Sequence, residues 1–217
     1  MERYEETIGG ARIVRIPAGS LATNCYVIQA GTELMLVDPG MTSNREFEEV
    51  ATIIESAHAR LRWIVATHGH ADHVSSVDAM VRRFPDAVFF MEPSEAVIAR
   101  DAEHSFAFQL GMQAAMHAEA LPLVDGQTLS VGSVCYRVAV IAGHTPASCV
   151  LIAEDHVFTG DTLFKGSVGR APSVPDFEAL VGGIRSVLLS LPPGTRVFPG
   201  HGEPTTVGEE LQTNPWL

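Results

Sequence analysis

Positive charge is scarce in this chain. The 217 residues hold 14 Lys+Arg against 26 Asp+Glu, a formal net charge of −12, and the only lysine is Lys165. A surface of that sign repels phosphate backbones and anionic bilayers, which excludes nucleic acid and membrane surfaces as default partners and leaves a small molecule. Cysteine is also scarce: Cys25, Cys135 and Cys149 are odd in number, widely spaced and without a C-x-x-C pair. A disulfide framework is thereby excluded, and reduced thiols in a cytoplasm are expected. The N-terminus lacks a basic segment followed by an apolar stretch, so no secretory signal is expected. No window approaches the ~20 apolar residues that span a bilayer.

What is present is an ordinary globular balance, 46% hydrophobic and 18% charged. A chain of this size buries roughly 70% of its unfolded surface, enough for a core without disulfide staples. Apolar–polar alternation is read at Ala11–Ile16, strands flanking a hairpin connection at Asn24–Gln29 and Leu34–Val37, a buried-type strand at Arg62–Ala66, a strand-like run at Ala87–Met91, and helical spacing at Thr42–His58 and His73–Phe84. The Ala- and Met-rich stretch Ser94–Ala118 predicts one broken helix, or two, hinged near Gly111. The second half repeats the logic, with hairpins over Gln127–Ile141 and Cys149–Thr159, a helix over Asp176–Leu191 and a short strand at Arg196–Phe198. No linker separates the halves, so residues 1–217 are read as a single domain made of two similar halves. Two sheets packed face to face, each covered by helices, satisfy the pattern; a single mixed sheet with helices on both sides is the alternative.

The chemistry is densest at Thr67-His68-Gly69-His70-Ala71-Asp72-His73, which follows an apolar strand and opens a helix. In extended chain His68 and His70 can present their rings to one point, and after the turn Asp72 and His73 project toward a neighbouring point. Unpaired imidazoles and a carboxylate crowded together are costly without a cation, so a metal site is expected in preference to a solvated loop with Asp72 as a helix cap. His144, Asp161 and His201 each follow an apolar strand and sit beside glycine, the setting in which strand-end loops collect functional groups. Singly each reads as a loop or turn residue. Together, five of the nine histidines and two aspartates share that setting; His58, His104, His117 and His156 do not.

These segments are similar to the metallo-β-lactamase superfamily across nearly the whole chain. The resemblance rests on Ser20–Tyr26, Val37-Asp38-Pro39-Gly40, the T-H-x-H-x-D-H run at 67–73, Gly143-His144-Thr145-Pro146, Gly160–Phe164, Gly166–Arg170 and Pro199–Gly202 with Asn214-Pro215. The stretch 160–170 most resembles the glyoxalase II (hydroxyacylglutathione hydrolase)-like branch. The resemblance implies an α+β fold, a four-layer αββα sandwich, and two divalent metal ions. It implies that His68, His70 and His144 hold one ion, that Asp72, His73 and His201 hold the other, and that Asp161 bridges them. Zinc is the first expectation, with iron or manganese also suited to imidazole and carboxylate. Two such ions ~3.5–4 Å apart can share a water and lower its pKa, supplying a bridging hydroxide without a Ser or Cys nucleophile. Asp72 is then expected to orient that hydroxide.

The implied activity is hydrolysis of a small ester or thioester, with an S-2-hydroxyacylglutathione as the leading substrate. The alternative within the same scaffold is a mononuclear iron persulfide dioxygenase-like oxidoreductase. Arg170, and secondarily Lys165, match the basic position that contacts the substrate's anionic thiol moiety in glyoxalase II-like enzymes. Ala171-Pro172 departs from the Thr-Asp pair common there, and the chain stops at Leu217, where longer glyoxalase II enzymes continue into a helical domain. Glutathione specificity is therefore not carried over. Phe106, Phe108, Met112 and Met116 are alternative walls of the pocket, or plain core. Cys149 is expected to be a buried strand thiol rather than a nucleophile.

Overall fold

Side chains of the early strands are buried on both faces, and the two faces feed different apolar clusters. In the computed structural model, which describes residues 2–112 and 116–217, one sheet runs in sequential order. Its strands are β1 (Tyr4–Ile8), β2 (Ala11–Ala18), β3 (Thr23–Ala30), β4 (Glu33–Val37), β5 (Arg60–Val65), β6 (Val88–Met91) and β7 (Leu121–Pro122). In β3 and β4, Cys25, Val27, Leu34 and Leu36 point to the outer cluster, while Tyr26, Ile28, Met35 and Val37 point to the inner one. That is the period-two signature of a strand covered on both sides.

Strands β1 to β4 pair antiparallel and β4 to β7 parallel. Parallel neighbours need crossovers, and helices supply them. Helix α1 (Asn44–Ser56) joins β4 to β5, α2 (Ala71–Val74) and α3 (Val77–Arg83) join β5 to β6, and α4 (Pro93–Arg100) follows β6. The start of α1 is set by a capping box: Ser43 Oγ accepts from the Glu46 N–H at 3.3 Å, and Glu46 Oε2 accepts from the Ser43 N–H at 3.0 Å.

The second sheet has β8 (Thr128–Val131), β9 (Val134–Val140), β10 (Cys149–Ile152), β11 (His156–Gly160), β14 (Arg196–Pro199) and β15 (Thr205–Thr206), in the order β15-β14-β11-β10-β9-β8. A small ribbon, β12 (Leu163–Phe164) with β13 (Ser167–Val168), stands beside it. Helix α5 (Val174–Gly183) runs on as a π-helical turn, Ile184–Leu188, and α6 (Val207–Thr213) follows β15. The three apolar clusters correspond to the three interfaces of a four-layer stack. One lies between the first sheet and its helices, one between the sheets, and one between the second sheet and α5. This is the expected αββα sandwich. Tyr26, Tyr136, Phe158 and Phe198 fill the middle interface, with Phe158 and Phe198 stacked at 5.2 Å. Truncating Phe158 to Ala is expected to cost about 3–5 kcal/mol.

Two expected helices differ. The single helix over His73–Phe84 is split, because Ser75 and Ser76 turn their hydroxyls onto the Met41 carbonyl at 2.9 and 2.7 Å. The helix predicted over Ser94–Ala118 stops at Arg100. Asp101 is extended there, and its Oδ1 accepts from the N–H groups of Glu103 and His104 at 2.9 and 3.0 Å, so a capped turn replaces the next helical turn. Phe106 and Gly111 then adopt positive φ, and residues 102–111 run as turns. The part of the predicted helix at 113–115 lies outside the described residues. Among the described residues, no helix is long and apolar enough to cross a membrane.

Candidate metal centre

One edge of the sandwich collects the ends of β4, β5, β9, β11 and β14, and every residue singled out as a donor lies in a loop or first helical turn at that edge. His68 and His70 follow β5, Asp72 and His73 open α2, His144 follows β9, Asp161 follows β11, and His201 follows β14. His201 also forms an isolated bridge to Thr23 at the start of β3, which ties the edges of the two sheets together. Asn24 Nδ2 donates to the carbonyls of Pro199 and Gly202, both at 2.9 Å, and the Tyr26 hydroxyl donates to Pro199 at 2.6 Å.

The seven side chains converge. His68 Nε2 lies 3.1 Å from His70 Nδ1 and 3.3 Å from His144 Nε2, and His144 Nε2 lies 3.0 Å from His70 Nδ1. Beside this triangle, Asp72 Oδ2 is 3.2 Å from His201 Nε2 and 3.5 Å from His73 Nε2. Asp161 stands between the two groups, with Oδ1 3.3 Å from His73 Nε2 and Oδ2 3.5 and 3.6 Å from the Nε2 atoms of His201 and His144. Donors held about 2.0–2.1 Å from a tetrahedral cation sit about 3.3 Å from one another, which is the spacing found here.

Hydrogen bonds behind the rings fix their tautomers. The Nδ1–H of His73 faces Asp38 Oδ2 at 3.0 Å, that of His144 the Arg170 carbonyl at 2.8 Å, and that of His201 the Leu21 carbonyl at 3.1 Å. His68 Nδ1 lies 3.1 Å from Thr67 Oγ1, which itself donates to Asp38 Oδ2 at 2.8 Å and so is free to accept. Four Nε2 atoms are thereby aimed inward, as outer carboxylates and carbonyls do for metal-binding imidazoles. The buried atoms His73 Nε2 and Asp161 Oδ1 have no hydrogen-bond partner. Facing each other at 3.3 Å at the centre of a donor cluster, these two atoms fit a shared cation. Gly200 is required beside them, because a Cβ there would collide with the Asp161 carboxylate and press on His73.

The electrostatics divide the cluster. Burial and the neighbouring imidazoles push His68 well below the ordinary histidine range and His70 down to about 4. Burial works the same way on His73 and His201, yet the carboxylates of Asp72 and Asp161 override it, raising His73 well above its usual value and His201 to about 9. Conversely, burial would raise Asp72 and Asp161, but His73 and His201 hold both well below the usual carboxylate range. Without a metal, protons on His73 and His201 supply the positive charge that the two carboxylates attract.

Sequence reasoning noted Asp38 only within the Val37-Asp38-Pro39-Gly40 segment and gave it no place in the site. Its carboxylate is buried and accepts from the Thr67 N–H at 2.7 Å, from Thr67 Oγ1 and from His73. No local pattern signals this role: it is the parallel pairing of β4 with β5 that brings their ends, and hence Asp38 and Thr67, side by side. The two basic residues expected to bind substrate differ in their surroundings. Lys165 is ion-paired with Glu209 of α6 at 3.2 Å, and Arg170 meets His144 through its carbonyl while its residue is exposed. The Phe106 ring packs edge-on against His70 at 4.9 Å and is 47% exposed, and Phe164 lies 6.1 Å from His201. Met116, by contrast, is core. Burial pushes the Cys149 thiol up, as expected of an inert strand cysteine. His156 is a structural residue, buried between Tyr136 at 2.9 Å and Asp155 at 2.7 Å.

Comparison with known proteins agrees with this geometry. The family model described as the metallo-beta-lactamase superfamily matches residues 18–201. The chain is 28% identical to the hydroxyacylglutathione hydrolase GloC of Haemophilus influenzae over 207 residues, covering 93% of this chain and 96% of that protein. It superposes on the B3 metallo-beta-lactamase BLEG-1 with a TM-score of 0.84 at 30% identity, covering 94% of this chain and 98% of that one. It superposes on TTHA1623, solved in a di-iron-bound form, with a TM-score of 0.81 at 33% identity, covering 94% and 99%. The chain therefore belongs to the metallo-beta-lactamase superfamily.

Proposed function

We propose that this protein is a dinuclear metal-dependent hydrolase of small thioesters, with S-2-hydroxyacylglutathione-type substrates as the leading class. The observation that carries the reading is the pair of donor sets, His68/His70/His144 and Asp72/His73/His201, joined by Asp161. The likeness to the Haemophilus influenzae hydroxyacylglutathione hydrolase supports the substrate class. In this proposal each set holds one divalent ion. Zinc is the first choice; iron is its competitor, given a relative described with two irons. When bound, such a pair supplies a water of lowered pKa and a Lewis acid for the substrate carbonyl.

The chain's own groups do the rest. Asp72, fixed by the Thr23 hydroxyl at 2.8 Å, orients the attacking water. The outer bonds to Asp38, Arg170 and Leu21 keep the imidazoles from rotating. A thiolate with a conjugate-acid pKa of about 8.5 leaves without a strong general acid, so the lack of an obvious one among these residues is no obstacle for a thioester. The exposed Arg170 guanidinium is assigned to the anionic end of the thiol moiety.

Elemental analysis of the purified protein, run beside a thioester hydrolysis screen, tests the proposal. Two metal equivalents and turnover of a 2-hydroxyacyl thioester are expected. One iron per chain with oxygen uptake on a persulfide would replace it by the dioxygenase-like reading.

A further inference from the structure

We propose that Glu95 is a positioning residue that clamps together the two loops carrying His68, His70 and His144; the inference rests on the dinuclear reading above. Glu95 lies in the first turn of α4, outside the donor cluster, and is fully buried. Its two carboxylate oxygens are spent on two different loops. Oε2 accepts from the Gly69 N–H at 2.8 Å, and Oε1 accepts from the Ala147 N–H at 2.8 Å. Gly69 is the residue between His68 and His70, and Ala147 belongs to the loop that presents His144.

A second, steric observation points the same way. The chain at Gly69 lies directly on α4: a Cβ there would sit 2.5 Å from the Glu95 carbonyl oxygen and 2.8 Å from Ile98 Cβ. The side chain of Glu92 in turn accepts from the N–H groups of Ser94 and Glu95, at 2.7 and 3.1 Å, which anchors the turn that bears the clamp. The two loops also share a backbone bond, Cys149 N–H to the Thr67 carbonyl at 2.8 Å, but it ties their strand ends rather than the residues beside the ligands. A carboxylate is suited to the task because both of its oxygens accept, whereas an amide offers one acceptor and one donor. The other donor set, Asp72/His73/His201, receives no hydrogen bond from Glu95 and is held instead by Thr23, Asp38 and Leu21. Glu95 should therefore govern one ion and not the other.

The test is Glu95→Gln in the full chain, with metal-free protein titrated with cobalt(II) and followed by its visible absorption and by competition with a chelator. Wild type is expected to take up two ions. Glu95→Gln keeps the volume and loses one arm of the clamp, and it is expected to bind one ion as wild type does and the other about 10–100-fold more weakly. Ala96→Gly loosens the same helix without touching either bond, and it should leave both affinities in place. Should Glu95→Gln not fold, Glu95→Asp keeps the charge, retracts it by one methylene and is expected to show the same selective loss. Two ions bound with wild-type affinity by the Glu95 variant, or an equal selective loss in Ala96→Gly, would overturn the clamp alone. A wild-type protein that takes up no pair of ions would overturn the dinuclear reading and the clamp with it.

Discussion

His68, His70 and His144 form a set of three imidazoles, while Asp72, His73 and His201 set one carboxylate among two imidazoles, and Asp161 stands between them. Burial opposes charge on His68 and His70 in the first set and on His73 and His201 in the second. In the first, neighbouring imidazoles add to that effect, and His68 and His70 are neutral lone-pair donors at neutral pH. In the second, the carboxylates reverse it, and His73 and His201 hold protons. The contrast separates two ways of making a cation site. One arranges lone pairs that nothing else occupies, and the other concentrates negative charge that protons hold until a metal displaces them.

The largest expected effect comes from removing what the two sets share. Asp161→Ala should lower thioester turnover by more than about 100-fold and reduce bound metal in both sets, since its carboxylate reaches His73, His201 and His144. Full activity with a full metal complement would break the comparison, because the sets would then be independent.

The next is a pH effect, read by calorimetry of metal-free and metal-loaded protein from about pH 5 to about pH 10. His201, raised to about 9 from 6.5, contributes stability that is complete below pH 6.5 and is lost as pH rises through about 9. His70, lowered to about 4, withdraws stability as pH falls from 6.5. The metal-free protein should therefore melt highest near the histidine midpoint and decline on both sides. Loading should abolish the alkaline decline and release protons, and an unchanged alkaline flank would mean that the second set holds no metal.

Asp38→Asn sharpens the comparison, since Asp38 orients His73 directly and His68 through Thr67, one ring in each set. Both metal affinities should fall about 10–100-fold, unlike the one-sided loss expected at Glu95. The smallest effect is at the rim. Arg170→Glu should raise KM for an anionic thioester about two- to fivefold, the scale of an exposed ion pair, while Lys165→Glu should leave KM unchanged because Glu209 already occupies that ammonium.

Much of this was legible in the sequence, and what was not has physical causes. The sandwich could be read because short apolar strand runs bounded by turn residues, and helical spacing between them, are local patterns that burial enforces. The seven donors could be picked out because they sit beside turn residues at strand ends. Asp38 and Glu95 escaped notice because their partners lie far along the chain: Thr67 and His73 for one, Gly69 and Ala147 for the other. The stretch after Arg100 misled for the opposite reason. Its Ala and Met content favours helix, but a single side chain, Asp101, offers the next N–H groups a closer acceptor and ends the helix. The strands β7, β12, β13 and β15 are two residues long, too brief for periodicity to register, and β1 is an exposed edge strand with no apolar run.

The bridge from Thr23 to His201, with the bonds from Asn24 and Tyr26 to the same loop, has a consequence for how the protein matures. His68, His70, Asp72 and His73 leave the ribosome long before His201 and meet it only when a strand from near the start of the chain docks on one from near its end. A half-synthesised chain can offer a passing ion a partial set of ligands but not the finished cage. On the proposed metal-centre reading, tight metal capture waits until the two sheets have closed on each other, which makes the ion a late reporter of correct folding rather than a template for it.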